Sequence, residues 1–155
     1  MSEGPGRTLV LDTNLLVLLI VGMTSRAYIA RHKRLRAFQE EDFDLLTGFV
    51  LSASRTVVTP NTLTETSNLL RQIDEPARGQ IYRQFQRVVG TAREHYVETK
   101  RVAGRAEFLW LGLTDSALFE AANEGYEILT TDSSFHSAAT RQGLKVINFN
   151  HHRQI

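Results

Sequence analysis

Cysteine is absent from the 155-residue chain. Its absence excludes disulfides, thiolate metal sites and cysteine nucleophiles together, and it fits a reducing compartment. Proline is scarce, with three residues in all, and no Pro- or Gly-rich stretch divides the chain. No repeat or low-complexity segment occurs. A single domain over residues 1–155 is the simplest organisation, with residues 1–6 expected to be flexible. A dominant charge is missing too: 18 Lys and Arg stand against 17 Asp and Glu, for a formal net charge of +1. Any attraction to nucleic acid must therefore come from local patches. The opening "MSEGPGRT" lacks the basic-then-apolar order of a signal peptide. The apolar run from Leu9 to Val21 is shorter than the roughly 20 residues that cross a bilayer. A soluble cytoplasmic protein without membrane contact is expected. No glycine-rich phosphate loop is present, which argues against an NTPase or a dinucleotide enzyme.

What the chain does contain is an alternation of strand and helix patterns. "RTLVL", "RTVVTP" (stopped by Pro60), "YEILTTD" and "LKVINF" read as strands, and "HYVET" as a short strand or extended connection. Between them lie helical patterns. "LLVLLIV" should end near Gly22, and a second helix is expected around Ser25–Ala30. "EEDFDLLTGFVLSA", "NTLTETSNLLRQI" and "EPARGQIYRQFQRVVGTA" follow, the last with Pro76 in its first turn. "KRVAGRAEFLWLG" is helical or irregular, and "TDSALFEAANEG" and "SSFHSAATRQG" complete the series. This order predicts an α/β protein, a three-layer α/β/α sandwich with a mostly parallel central sheet. Ligands of such sheets bind beyond the carboxyl ends of the strands.

Asp12 and Asn14 are out of place in the apolar run that holds them, because a buried carboxylate is costly unless something pairs with it. Asp12 and Asp132 each follow an apolar strand, Glu65 lies one turn into the helix opened by Pro60, and Asp115 heads "TDSALFEAA". All four can reach one sheet edge if the first strand lies beside "EILT". Clustered carboxylates stay ionised together only with a counter-charge. Hard divalent ions supply it with all-oxygen ligands, and magnesium usually takes one or two carboxylates while keeping several waters. Such ions activate a water for phosphodiester hydrolysis. Capping competes with this reading: Asp12, Asp115 and Asp132 all precede helical segments, and taken singly each reads first as an N-cap. Glu65 alone reads as an exposed helical residue.

The ordered set "VLDTN", "TLTET", "LTDSAL" and "ILTTDSSF" resembles the PIN-domain nucleases, especially small prokaryotic ones of the VapC-toxin type, over nearly the whole chain. The resemblance implies a PIN-like fold and a metal-dependent endoribonuclease using Mg²⁺ or Mn²⁺ on single-stranded or structured RNA. Asp12, Glu65, Asp115 and Asp132 match the acidic quartet that would bind metal and catalyse. Asn14 matches the residue supporting the first acid, Thr131 the hydroxyl residue beside the last, and Thr13 completes the supporting group. An antitoxin protein and a second copy of the chain are the protein partners to expect. The interval from Asp12 to Glu65 is long for the compact toxins, the surplus lying in "GMTSRAYIARHKRLRAFQEEDF". Within it Arg31, Lys33, Arg34 and Arg36 are candidate phosphate contacts, with a solvated basic face as the equal alternative.

The remaining candidates are weaker. Five histidines show no metal-ligand spacing tied to a carboxylate, and His151 and His152 read as a tail. Phe108 and Trp110 could stack on a base but read first as core. Two rival functions stand beside the nuclease. A haloacid-dehalogenase-type phosphatase would want a second acid where Asn14 stands, and a non-catalytic PIN-like module would bind RNA or protein only.

Overall fold

The computed structural model describes residues 6–153, so that most of the segment expected to be flexible, residues 1–5, lies outside the described residues. Five strands form one parallel sheet: β1 (Thr8–Leu11), β2 (Arg55–Val58), β3 (Arg93–Glu94), β4 (Glu127–Thr130) and β5 (Val146–Asn148), in the order β3-β2-β1-β4-β5. The register sets Val10 between Val57 and Ile128, and Leu11 beside Leu129.

Successive strand residues face opposite sides of a sheet, and β1 fills two cores in this way. Leu9 and Leu11 join a cluster with α1 (Thr13–Thr24), α2 (Glu40–Ser52), α3 (Pro60–Leu69) and α4 (Ala77–Thr91). Val10 joins the opposite cluster with α6 (Phe108–Asn123) and α7 (Ser133–Arg141), which α5 (Thr99–Ala103) precedes. The result is a three-layer α/β/α sandwich, as the alternation predicts. Leu15, Leu16, Val17, Leu18, Ile20 and Val21 are all buried in α1. An all-round apolar helix is a buried one, and the first apolar run is thus core. Among the described residues no helix is long and apolar enough to cross a membrane.

Several local expectations are corrected. α1 runs through Gly22 to Thr24, because Gly22 is a contact point, not a stop. A Cβ there would lie 2.2 Å from the Phe43 ring, so glycine lets α2 approach α1. The helix expected around Ser25–Ala30 is a single 3₁₀ turn, Arg26–Tyr28. α3 ends at Leu69, short of "RQI", and Pro76 stands just outside α4, in the N-cap position rather than in the first turn. The short strand falls at Arg93–Glu94, before "HYVET", though the His95 N–H still reaches Val58 O at 2.8 Å. Nor are His151 and His152 a tail. They lie in a 3₁₀ turn, Phe149–His152, with Phe149 fully buried and the His152 ring 5.4 Å from Phe49.

The strand order reverses direction between β1 and β4, which places the switch-point crevice beyond their carboxyl ends. Asp12 directly follows β1, and Asp132 lies two residues beyond β4.

Candidate active site

Asp12 caps α1: its Oδ1 accepts from the Leu15 N–H at 2.9 Å. Capping is only part of its role. Its Oδ2 accepts from the Thr130 hydroxyl at 2.9 Å, the Thr131 N–H at 2.7 Å and the Thr131 hydroxyl at 3.3 Å. With 6% of its surface exposed, Asp12 has its carboxyl pushed up by burial, although these four hydrogen bonds pull the other way. Oδ1 accepts a single bond from the protein and keeps a lone pair for another partner.

Asp132 combines the same two features on α7. Its Oδ1 accepts from the Phe135 N–H at 3.0 Å, capping the helix, while its own N–H donates to Thr130 Oγ1 at 3.0 Å. Thr130, 2% exposed, therefore ties both acids together with one hydroxyl. Its neighbour Thr131 is held in turn by Asn150, whose Nδ2 donates to the Thr131 carbonyl at 3.1 Å. The resemblance sets Thr131 beside the last acid, Asp132; in the fold its N–H and hydroxyl turn to the first acid, Asp12. Thr130 and Asn150 went unseen in the sequence; a threonine closing an apolar strand just before a capping acid is the one signal that pointed to Thr130.

Glu65 is exposed on α3, and the Thr13 hydroxyl donates to its Oε2 at 3.2 Å. Asp115 is brought in by a break in α6. Gly112 has φ 78° and ψ −177°, a conformation open essentially to glycine alone. The chain restarts its helix after Gly112, so Asp115 falls in the first turn of the second part. Burial and then the charges of Asp132, Asp12 and Glu65 push the Asp115 carboxyl up to about 7. Every influence on it raises it. Four acids from four separate segments thus share one electrostatic environment.

Two expectations change in detail. Asn14 does not touch Asp12; its Oδ1 accepts from Arg34 Nε at 3.2 Å and Nη2 at 3.1 Å. Of the four basic residues, Arg34 alone is tied to this edge. Arg31 lies over the Tyr28 ring at 5.2 Å, and Lys33 and Arg36 are exposed. The segment owes its place to His32, 1% exposed between them. The His32 Nε2–H donates to Leu70 O at 3.1 Å and Nδ1 accepts from the Arg34 N–H at 3.2 Å. That pattern requires a neutral ring, and burial pushes the imidazole's pKa down accordingly.

Among the described residues no group of three or more His, Asp or Glu side chains is arranged to hold a metal ion as it stands. A cage of three carboxylates therefore does not fit. A hydrated divalent ion held by one or two carboxylates does fit, since the donors are oxygens, Asp12 Oδ1 keeps a lone pair, and Asp115 stands in uncompensated negative charge.

Trp110 is placed otherwise than as core: it is 53% exposed and lines a cleft with Ser133, Ser134, Ser137 and Arg141. Phe108 is half-buried. Neither a protein-family model nor a curated protein matches this chain.

Proposed function

We propose that the protein is a PIN-type endoribonuclease that hydrolyses RNA phosphodiesters with Mg²⁺ or Mn²⁺. The observation that carries this reading is the gathering of four acids: one Thr130 hydroxyl joins Asp12 to Asp132, Thr13 holds Glu65, and Asp115 feels the charge of all three with no cation among the causes. A structural role gives no reason to gather four carboxylates at a switch-point crevice, where repulsion costs stability. Cation binding gives one.

Each side chain has a part in this reading. Asp12, fixed through Oδ2 by Thr130 and Thr131, presents Oδ1 as a ligand. Asp115 and Asp132 supply the remaining negative charge, and Glu65 closes the group through Thr13. Held by Asn14, Arg34 would take a non-bridging phosphate oxygen of the substrate. A divalent ion bound here would activate the attacking water and neutralise charge on the leaving oxygen.

Asn14 argues against the phosphatase reading, since the residue two beyond Asp12 is a carboxamide engaged with Arg34. The deciding experiment is cleavage of a single-stranded RNA with Mn²⁺, comparing the native chain with Asp12→Asn and Asp115→Asn. Activity lost in both variants supports the reading. RNA binding without cleavage by the native protein assigns it to the non-catalytic class instead.

A further inference from the structure

Beside the acids lies a feature that the proposed hydrolysis does not use. Trp110, half exposed, forms one wall of an open cleft of about 450 Å³ whose other lining residues are Ser133, Ser134, Ser137 and Arg141. Ser133 directly follows Asp132, and Trp110 lies five residues before Asp115. Each wall of the cleft is thus only a few residues along the chain from one of the acids. Ser133, Ser137 and Arg141 are spaced four residues apart on α7 and share one face of the helix. That face carries hydroxyls beside Asp132 and an exposed guanidinium roughly 12 Å further along the axis.

Exposure of Trp110 is imposed by the backbone. At Gly112 the chain turns through a glycine-only conformation, which separates Phe108–Leu111 from the buried second part of α6. Arg105 anchors the other end of this segment: it pairs with Glu120 and Glu107, and its guanidinium lies 4.8 Å over the Phe119 ring. With both ends fixed, the indole is held in solvent at the edge of the site.

We infer that Trp110 is a base-stacking subsite: an unpaired nucleobase next to the scissile phosphate lies on the indole. Arg141 takes a backbone phosphate further along the strand, and Ser133 and Ser137 face the sugar-phosphate between them. An aromatic face that stacks any base, joined to hydroxyls and one cation, is the chemistry of single-strand recognition. A paired base is already stacked and cannot use it, so the subsite selects single-stranded over duplex RNA. This inference rests on the ribonuclease reading and deepens it.

Trp110 is the sole tryptophan, so its fluorescence reports the subsite directly. Asp12→Asn protein in Mg²⁺ would be titrated with an eight-nucleotide single-stranded RNA, following tryptophan emission and the anisotropy of a labelled copy. Saturable quenching that tracks the anisotropy is expected, with roughly ten-fold weaker binding of an oligomer lacking its bases. Trp110→Ala in the otherwise native chain should raise KM about ten-fold with kcat within a few-fold, and Trp110→Phe should restore most of it. Anisotropy showing binding without quenching, or no binding at all, overturns the subsite. If native protein still cleaves RNA in that case, the proposed function survives the loss. No cleavage by native protein sinks the function itself. Emission that shifts on dilution of the protein alone assigns this face to a second copy, and it too overturns the subsite.

Discussion

Arg34 directs two guanidinium nitrogens, at 3.2 and 3.1 Å, to the one side-chain oxygen of Asn14, two residues beyond Asp12. A cation is thus set at the edge of an acidic site while bonded to a neutral carboxamide. Its partner is neutral, so the guanidinium charge is not cancelled by that contact. Arg34→Ala should weaken single-stranded RNA binding several-fold and reduce the log–log salt slope by about 0.7, the loss of one phosphate contact. Replacing Arg31, Lys33 and Arg36 together should change the slope less than Arg34 does alone, since Arg34 is the only one tied to the site edge. An unchanged slope in Arg34→Ala returns the whole basic stretch to solvated surface.

Asp115 makes stability depend on pH in an unusual direction. Its carboxyl titrates near 3.8 when unfolded and at about 7 in the fold. Between those values the native state binds more protons than the unfolded chain, so stability falls as pH rises and is lost through pH 7. The rise corresponds to about 4 kcal/mol for a group wholly removed from water, and partial solvation reduces it to about 2 kcal/mol. Burial of Asp12 acts in the same direction. Without divalent ions the protein should melt several degrees lower at pH 8 than at pH 5.5. Millimolar Mn²⁺ should restore the melting temperature at pH 8 by linkage, and Asp115→Asn should flatten the profile. A melting temperature that rises from pH 5.5 to 8 without metal contradicts the charge arrangement.

Asp12 separates capping from catalysis. For a plain N-cap, Asn replaces Asp at almost no cost. Here the two carboxylate oxygens face donors on both sides, Leu15 N–H at one and Thr131 N–H at the other. In Asp12→Asn one of them must meet an NH₂ group. A loss of about 1 kcal/mol in urea denaturation is expected, with a fall of orders of magnitude in RNA cleavage. Thr130→Val removes the hydroxyl that joins Asp12 to Asp132 and should cost about 1–3 kcal/mol at this buried position. Full cleavage by a folded Asp12→Asn protein excludes the catalytic role.

The layers and the sheet edge on which Asp12 and Asp132 fall were legible because they rest on local patterns. Apolar strands alternating with helical stretches define the sandwich, and Asp12 and Asp132 directly behind two of those strands mark the edge. What stayed illegible depends on contacts distant in the chain. Gly22 looks like a helix stop until Phe43, 21 residues later, is seen packed on it. Asn14 looks like a partner for Asp12 until Arg34, 20 residues away, is found holding it. Trp110 reads as core because indoles usually are. The positive φ of Gly112 that turns it outward leaves no trace beyond one glycine in an apolar stretch.

Gly112 allows a test in which the same substitution changes sign with backbone conformation. In Gly112→Ala a Cβ meets nothing within 4 Å, so no clash contributes to the outcome. The cost is conformational, since φ 78° with ψ −177° excludes side chains, and about 1–3 kcal/mol of destabilisation is expected. Gly48 also has open space around its Cβ position, but it lies inside α2 with helical geometry. Gly48→Ala should therefore stabilise by about 0.5–1 kcal/mol. Chemical denaturation of the two variants side by side separates backbone strain from packing. If Gly112→Ala folds by straightening α6, Leu109 and Trp110 must move relative to Asp115. Trp110 emission should then shift and KM for single-stranded RNA rise, while Gly48→Ala leaves both unchanged. Equal stabilisation by the two substitutions shows that Gly112 does not hold this conformation in solution.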